Sequence, residues 1–354
     1  MSPSSLAPHE AAPQGTSLTT YLPSHRSEGA EDFPRTLSTS RTGSDRAFRM
    51  SATAIGASVL AVTGGIGLFL AFQSVPTLRR YGFSFFTESQ WQPEADVLGI
   101  SAVLVGTVSI AGVALFFAFP LALATALYIS EYAPPRMRGV LVSLVDLMAA
   151  VPSIVYGLWG FFLIQPYAAG VARFLQAHFG WVPFFQVGTD PDGVPVDATR
   201  YTASSFIAGI AVAMMVTPMI CAVMRQVFSQ TPPGEKEAAL ALGSTRWGMI
   251  RTVVLPFGRG GIIGGTMLGM GRALGETIAV LLIISPAFEI KWRVLEIGGN
   301  SISSLIAGRF GDASPAQLSA LLTAGLVLFV MTLVVNTLAA MIVARSRSGA
   351  DADA

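Results

Sequence analysis

Residues Glu237 to Pro256 read EAALALGSTRWGMIRTVVLP, a polar, helix-forming segment set between two long apolar runs. A loop of this kind is built to be gripped by another protein. Pro232 and Pro233 announce a helix start, and Glu235 and Glu237 follow in its first turn, where carboxylates complement the positive end of the helix dipole. Gly243 is expected to take the left-handed conformation that ends this helix after Leu242. Ser244 is expected to cap a second helix running toward Val254, with Leu255 and Pro256 closing the motif. Ala238, Ala239 and Ala241 keep the first helix thin enough to lie deep in a groove on a partner.

The surroundings of that loop are those of a membrane protein. Of 354 residues, 52% are hydrophobic, 12% are charged and 36 are glycine, too apolar a mixture for a soluble domain of this size. Crossing a hydrocarbon core of about 30 Å takes about 20 helical residues. Six stretches are long enough, near 52–72, 98–128, 140–164, 204–224, 261–284 and 318–344, which leaves 226–258 as a loop between the fourth and fifth. If both ends are cytoplasmic, the inside segments hold fourteen of the 22 Lys and Arg residues and the outside loops seven, with Arg272 inside a span. Positive residues are retained in short cytoplasmic loops, so both termini and the 226–258 loop are expected inside. The organisation expected is a disordered cytoplasmic tail over 1–48, a transmembrane domain over 49–346 and a short cytoplasmic tail over 347–354. The first tail is rich in Ser, Pro, Thr and Gly and cannot offset its ordering entropy. It is also far longer than the leading region of a signal peptide, so the first span is expected to stay in the mature protein.

Several function classes are excluded or weakened. A net charge of +1 gives no footprint for nucleic acid. The single cysteine, Cys221, sits in the fourth span beside Met219 and Met224, where a small buried hydrophobe is the expected role. His9, His25 and His178 are scattered, and no metal site is expected. The two lysines follow Glu235 and Ile290, so neither belongs to a Gly-Lys-Ser/Thr phosphate loop. Any ATP must be hydrolysed by another chain. Pro120, Pro152 and Pro218 each remove a backbone hydrogen bond within a span and favour kinks, which suit either a gated pathway or a static bundle. The outside loop from Gln165 to Tyr201, with Trp181, Pro183, Phe184, Phe185 and the turn-rich GTDPDG run from Gly188, reads either as a folded cap or as a solvated loop with interfacial aromatics.

The fifth span carries GGIIGGTMLGMGRALGETIAV, Gly260 to Val280, with Arg272 and Glu276 deep in an apolar setting. A charge there costs about 3 kcal/mol or more, so pairing is expected. Four residues apart on a helix, the two can meet on one face. At about 100° per residue, Gly261, Gly265, Gly269, Arg272 and Glu276 share an arc of about 80°. Glycines at this spacing let another helix approach closely. The pair is therefore expected at a helix interface or in a pathway, either as an anion site or as structural glue. Arginine's planar fork suits an oxyanion such as phosphate. Asp146, in LVDLMAAVPS of the third span, is a third intramembrane charge, open to a solvated, helix-start or pathway role.

These residues carry a family resemblance. Glu237, Ala238, Ala239, Gly243, Leu255 and Pro256 match the cytoplasmic signature of permease subunits of type I ABC importers, with Val253 where isoleucine is usual. GRALGET, Gly271 to Thr277, resembles phosphate-specific transport (Pst) permeases, the PstC type more than the PstA type. Trp91-x-Pro93, Gly106-Thr107, the Ala126 to Ala133 run and VPSIVYGLWG from Val151 agree. The resemblance covers about 50–345 and implies an all-α integral membrane fold with six spans in a MetI-like arrangement and a cytoplasmic coupling helix. It implies a non-catalytic subunit in a prokaryotic cytoplasmic membrane. Its partners would be a second, PstA-like permease, two copies of a PstB-like ATPase that uses ATP and Mg, and an extracytoplasmic PstS-like phosphate-binding protein, with membrane lipid around it. It also implies that Arg272 and Glu276 line the phosphate path. Sulfate, molybdate or phosphonate as substrate stays open, as does an ion-coupled secondary transporter; an integral-membrane enzyme is the weakest option.

Overall fold

The computed structural model describes residues 43–188 and 198–347. The chain divides into two compact units, Met1–Ser58 and Val59–Ala354. Of the expected tails, 1–42 and 348–354 lie outside the described residues, as does most of the GTDPDG run; 43–48 are not a disordered tail but the first turns of a helix, and Arg347 ends another. From the first unit only the start of the first helix is described.

Among the described residues, six helical runs are long and apolar enough to cross a membrane. The first is α1 (Gly43–Tyr81), and the second is α3 (Ser101–Leu127) continuing to Tyr132. Between them lie the one-turn α2 (Ser84–Thr87) and a small hairpin of β1 (Trp91–Gln92) and β2 (Val97–Leu98). Asp96 turns that hairpin at φ 58°. Its carboxylate accepts from the Tyr81 hydroxyl and from Arg80, each at 2.5 Å, and those hydrogen bonds, Tyr81's first, hold its pKa below the usual carboxylate value.

The third span differs from expectation. The run expected over 140–164 is broken at Pro152, because a residue before proline is driven out of the helical region and Val151 is extended. α4 (Pro135–Ala150) ends there, and the span is α5 (Ser153–Trp159), a π-helical turn over Gly160–Ile164 and α6 (Gln165–Phe179). Much of the expected outside loop is therefore helix. α7 (Ser205–Ser229) is the fourth span.

α8 (Pro233–Ala241) and α9 (Arg246–Met249) follow, and α9 runs through another π-helical turn, Ile250–Val254, into α10 (Leu255–Leu274). The fifth span is thus Arg246–Leu274, not 261–284. Pro166 and Pro256 both sit two residues beyond a π-helical turn. Proline lacks the N–H and presses on the carbonyl four residues back, and the wider turn accommodates that in a helix that does not stop. The short α11 (Ile278–Ile283) and α12 (Ile302–Arg309) precede the sixth span, α13 (Pro315–Arg347). Pro120 and Pro218 lie within continuous helices.

α7 is the hub. Two-thirds of its apolar window is buried, against 0% for α1 and 6% for α13. One side meets an alanine stripe on α3, where Ala111, Ala114, Ala118, Ala122 and Ala126 are buried. The other meets glycines of α10. A Cβ on Gly258 would overlap Phe228, on Gly261 Val227 and on Gly269 Ile220; on Gly265 it would stand 3.2 Å from the Ile220 carbonyl. Lipid offers no hydrophobic drive between helices, so close backbone approach and dispersion hold these faces together. Cys221 is fully buried on the same hub. At the far end of α1, Thr77 and Ser319 share a 2.7 Å hydrogen bond, which joins α1 to α13.

Gly269→Val should overpack the α7–α10 contact and cost about 1–3 kcal/mol. Gly264, where a Cβ would meet only Val343 at an ordinary 3.6 Å, should accept alanine without loss. Thermal unfolding of the two variants in detergent checks the contrast.

Candidate functional site

The Glu237–Pro256 segment folds as two helices joined at Gly243, whose φ of +86° is the left-handed conformation glycine adopts without strain. The cap of the second helix is Thr245, not Ser244: its hydroxyl accepts from the Gly248 amide at 3.1 Å. Leu255 and Pro256 do not close the motif, because the π-helical turn before them lets the helix run on. Arg246 to Leu274 is one rod of about 40 Å at 1.5 Å per residue. On α8 the outer face exposes Glu237, Ala238, Ala241 and Leu242, the last at 88%. Trp247, on α9, is 57% exposed. The inner face places Ala239 against the core and Lys236 2.7 Å from Glu131.

The far end of the same rod carries the charged pair. Arg272 and Glu276 do not meet on one helix face as their spacing predicts. α10 ends at Leu274, Gly275 is its C-cap and α11 begins at Ile278. Glu276, 7% exposed, turns its carboxylate onto the Ala279 amide at 3.2 Å, satisfying one of the open donors in the first turn of α11. Arg272 stays on the last turn of α10 with its side chain exposed, and its Nη2 lies 3.7 Å from Met215 Sδ. Among the described residues no carboxylate is within ion-pair distance of it. Glycine at 275 lets the helix end, and a carboxylate that can bind a backbone amide has no need of the guanidinium. Gly261, Gly265 and Gly269 are buried on the α7 side.

Asp146 is not in a span. It lies exposed on α4 and pairs with Arg225 of α7 at 3.7 Å. The sequence reading missed a buried polar mesh under the helix break, formed by Asn300 to Ser304. Thr107 Oγ1 accepts from the Ile302 amide at 3.0 Å, and Gly106 leaves room for the Asn300 carbonyl, which a Cβ would strike. Ser301 and Ser304 form a capping box for α12, and the Ser303 hydroxyl donates to the Glu276 carbonyl at 2.6 Å. The signal was present in N-S-I-S-S, a cap pattern outside any apolar run. The mesh fixes the backbone at Glu276 and so the end of α10 that bears Arg272. A fixed, exposed guanidinium can bind an oxyanion through two parallel N–H donors.

Residues 118–348 match the model of the binding-protein-dependent transport system inner membrane component family. The chain belongs to that family. The permease is 38% identical over 300 residues to phosphate transport system permease protein PstC 2 of Mycobacterium tuberculosis, which covers 83% of this chain and 90% of that one. It is 38% identical to PstC of Mycobacterium leprae, covering 83% and 92%, and 35% identical to PstC of Haemophilus influenzae, covering 84% and 92%. Among solved structures, a bacterial ABC transporter that imports the acidic polysaccharide alginate gives a TM-score of 0.53 at 19% identity, covering 85% of this permease and 96% of that chain. A bacterial alginate ABC transporter in complex with an alginate pentasaccharide-bound periplasmic protein gives 0.53 at 18%, covering 83% and 93%. The six-span arrangement is that of type I ABC importer permeases, an all-α membrane fold.

Thr107→Val should leave the buried Ile302 amide unpaired and cost about 1–3 kcal/mol, whereas Thr107→Ser keeps the acceptor. A lowered unfolding temperature for the valine variant alone is the expected result.

Proposed function

We propose that this permease passes inorganic phosphate across the cytoplasmic membrane of a prokaryote, with both termini inside, as one half of a channel whose other half is a homologous, PstA-like subunit. Its relatives are named as phosphate permeases, and that supports the substrate. The observation that carries the mechanism is Arg272. A guanidinium exposed on this chain in the outer part of an apolar span would cost about 3 kcal/mol or more against lipid. It therefore faces the second subunit or a path between the two. An oxyanion entering that path meets a cation that no carboxylate of the described chain neutralises.

The energy enters at the other end. An ATPase dimer that hydrolyses ATP with Mg grips the outer face of α8 at Glu237 and Ala238, while Ala239 seats the helix on its own bundle and Gly243 forms its hinge. Leu255 and Pro256 sit where the rod leaves its π-helical turn. Closure of the dimer pushes one end of the rod and tilts the end that bears Arg272. A phosphate-binding protein delivers the anion from outside. The permease itself makes and breaks no bond.

The complex of permease, partner permease, ATPase and binding protein, reconstituted in liposomes, should show ATP-driven uptake of labelled phosphate that excess sulfate, molybdate or phosphonate does not suppress. Arg272→Ala should lower it by on the order of a hundredfold, and Arg272→Lys less, since lysine keeps the charge but loses the fork. Undiminished uptake in the alanine variant would remove Arg272 from the path. Uptake without the ATPase would make the protein an ion-coupled carrier.

A further inference from the structure

α3 does not stop at Leu127. It continues as a π-helical turn over Tyr128–Tyr132, and Glu131 on that turn points at the docking helix. Lys236 Nζ of α8 lies 2.7 Å from Glu131 Oε1, and the two side chains are 21% and 6% exposed. A pair so far withdrawn from water is screened much less than a surface pair. Glu235 and Glu237, the neighbours of Lys236 on α8, are exposed instead. Lysine is thus the charge that α8 turns toward its own bundle, while its acids face outward.

The turn that holds Glu131 is itself fixed. Arg138 of α4 donates from Nε to the Ile129 carbonyl at 3.0 Å and from Nη2 to the Ser130 carbonyl at 2.5 Å. α4 reaches α7 through Asp146 and Arg225. A polar chain therefore runs from α8 to α3, α4 and α7. The covalent routes from α8 go elsewhere, back through 230–232 to α7 and forward through Gly243 to α9 and α10, whereas Glu131 and Lys236 are 105 positions apart in sequence.

We infer that Lys236 and Glu131 are positioning residues that carry a displacement of α8 to α3, so that both helices packed on the α7 hub move when α8 is pushed. The inference rests on the reading of α8 as the ATPase docking helix. Without the pair, a push on α8 passes along the chain to α7 and to the α9–α10 rod, while α3 loses its polar link to α8 and lags behind. ATP would then be spent with little transport.

The test uses the whole reconstituted complex and reads solute imported per ATP hydrolysed, with labelled phosphate and labelled sulfate run in parallel, alongside co-purification of the ATPase. Lys236→Met and Glu131→Gln should each lower the ratio by on the order of tenfold while the ATPase still co-purifies, since breaking a partly buried pair removes the coupling and not the docking face. The double variant should be no worse than either single one, and Lys236→Arg should stay near wild type. An unchanged ratio in the single variants, losses that multiply in the double, or loss of the ATPase would each overturn the strut. Wild-type import of sulfate in place of phosphate would overturn the substrate and leave the strut to be read on sulfate.

Discussion

The close approach of α10 to α7 is the contact on which the rest of the molecule depends. Between helices in lipid there is no gain from excluding water, so the attraction comes from short-range contact over a long, flat face. Gly258, Gly261, Gly265 and Gly269 provide that face, and Val223, Val227, Ile220 and Phe228 of α7 fill it. On the opposite side the alanines of α3 do the same. The hub is therefore squeezed between two stripes of small residues. Bulky, flexible side chains are left to the outer helices, where lipid or a second subunit can cover them.

A bundle held this way can tolerate broken helices only if every freed backbone group finds a partner. The break at Gly275–Thr277 meets that condition in two ways. Glu276 binds an amide of α11 with its side chain, and Ser303 binds its carbonyl. Thr107 and the capping box of α12 do the same one layer away. That end of the bundle is consequently polar inside. It holds the last turn of α10 at a fixed place while leaving Arg272 uncovered.

The six spans, the loop between the fourth and fifth, the hinge at Gly243 and the glycine face of α10 were legible because each rests on local chemistry: apolar length, polar composition, left-handed backbone and small-residue spacing. The span ends were less so. Hydropathy carries a run past Pro152 and past Gly275, since neither interrupts the apolar composition, although both interrupt the hydrogen-bond ladder. The expected Arg272–Glu276 pair failed for the same reason. Spacing of four implies contact only if the helix is continuous, and the residue between them that matters is glycine. Lys236–Glu131 and the Asn300–Ser304 mesh join residues far apart in sequence, and no periodicity announces such contacts.

The π-helical turn at Ile250–Val254 has a geometric consequence for the rod it interrupts. It places one extra residue in a helix that otherwise advances about 100° per residue. α9 and α10 therefore follow two phases, and no single helical wheel describes both. The exposed face of α9 is offset from the glycine face of α10 by that one residue. Deleting a residue there would preserve length almost entirely, yet it would swing Trp247 about a quarter of a circle relative to Arg272. The two ends of the rod are thus set against each other by an angle stored in a single turn.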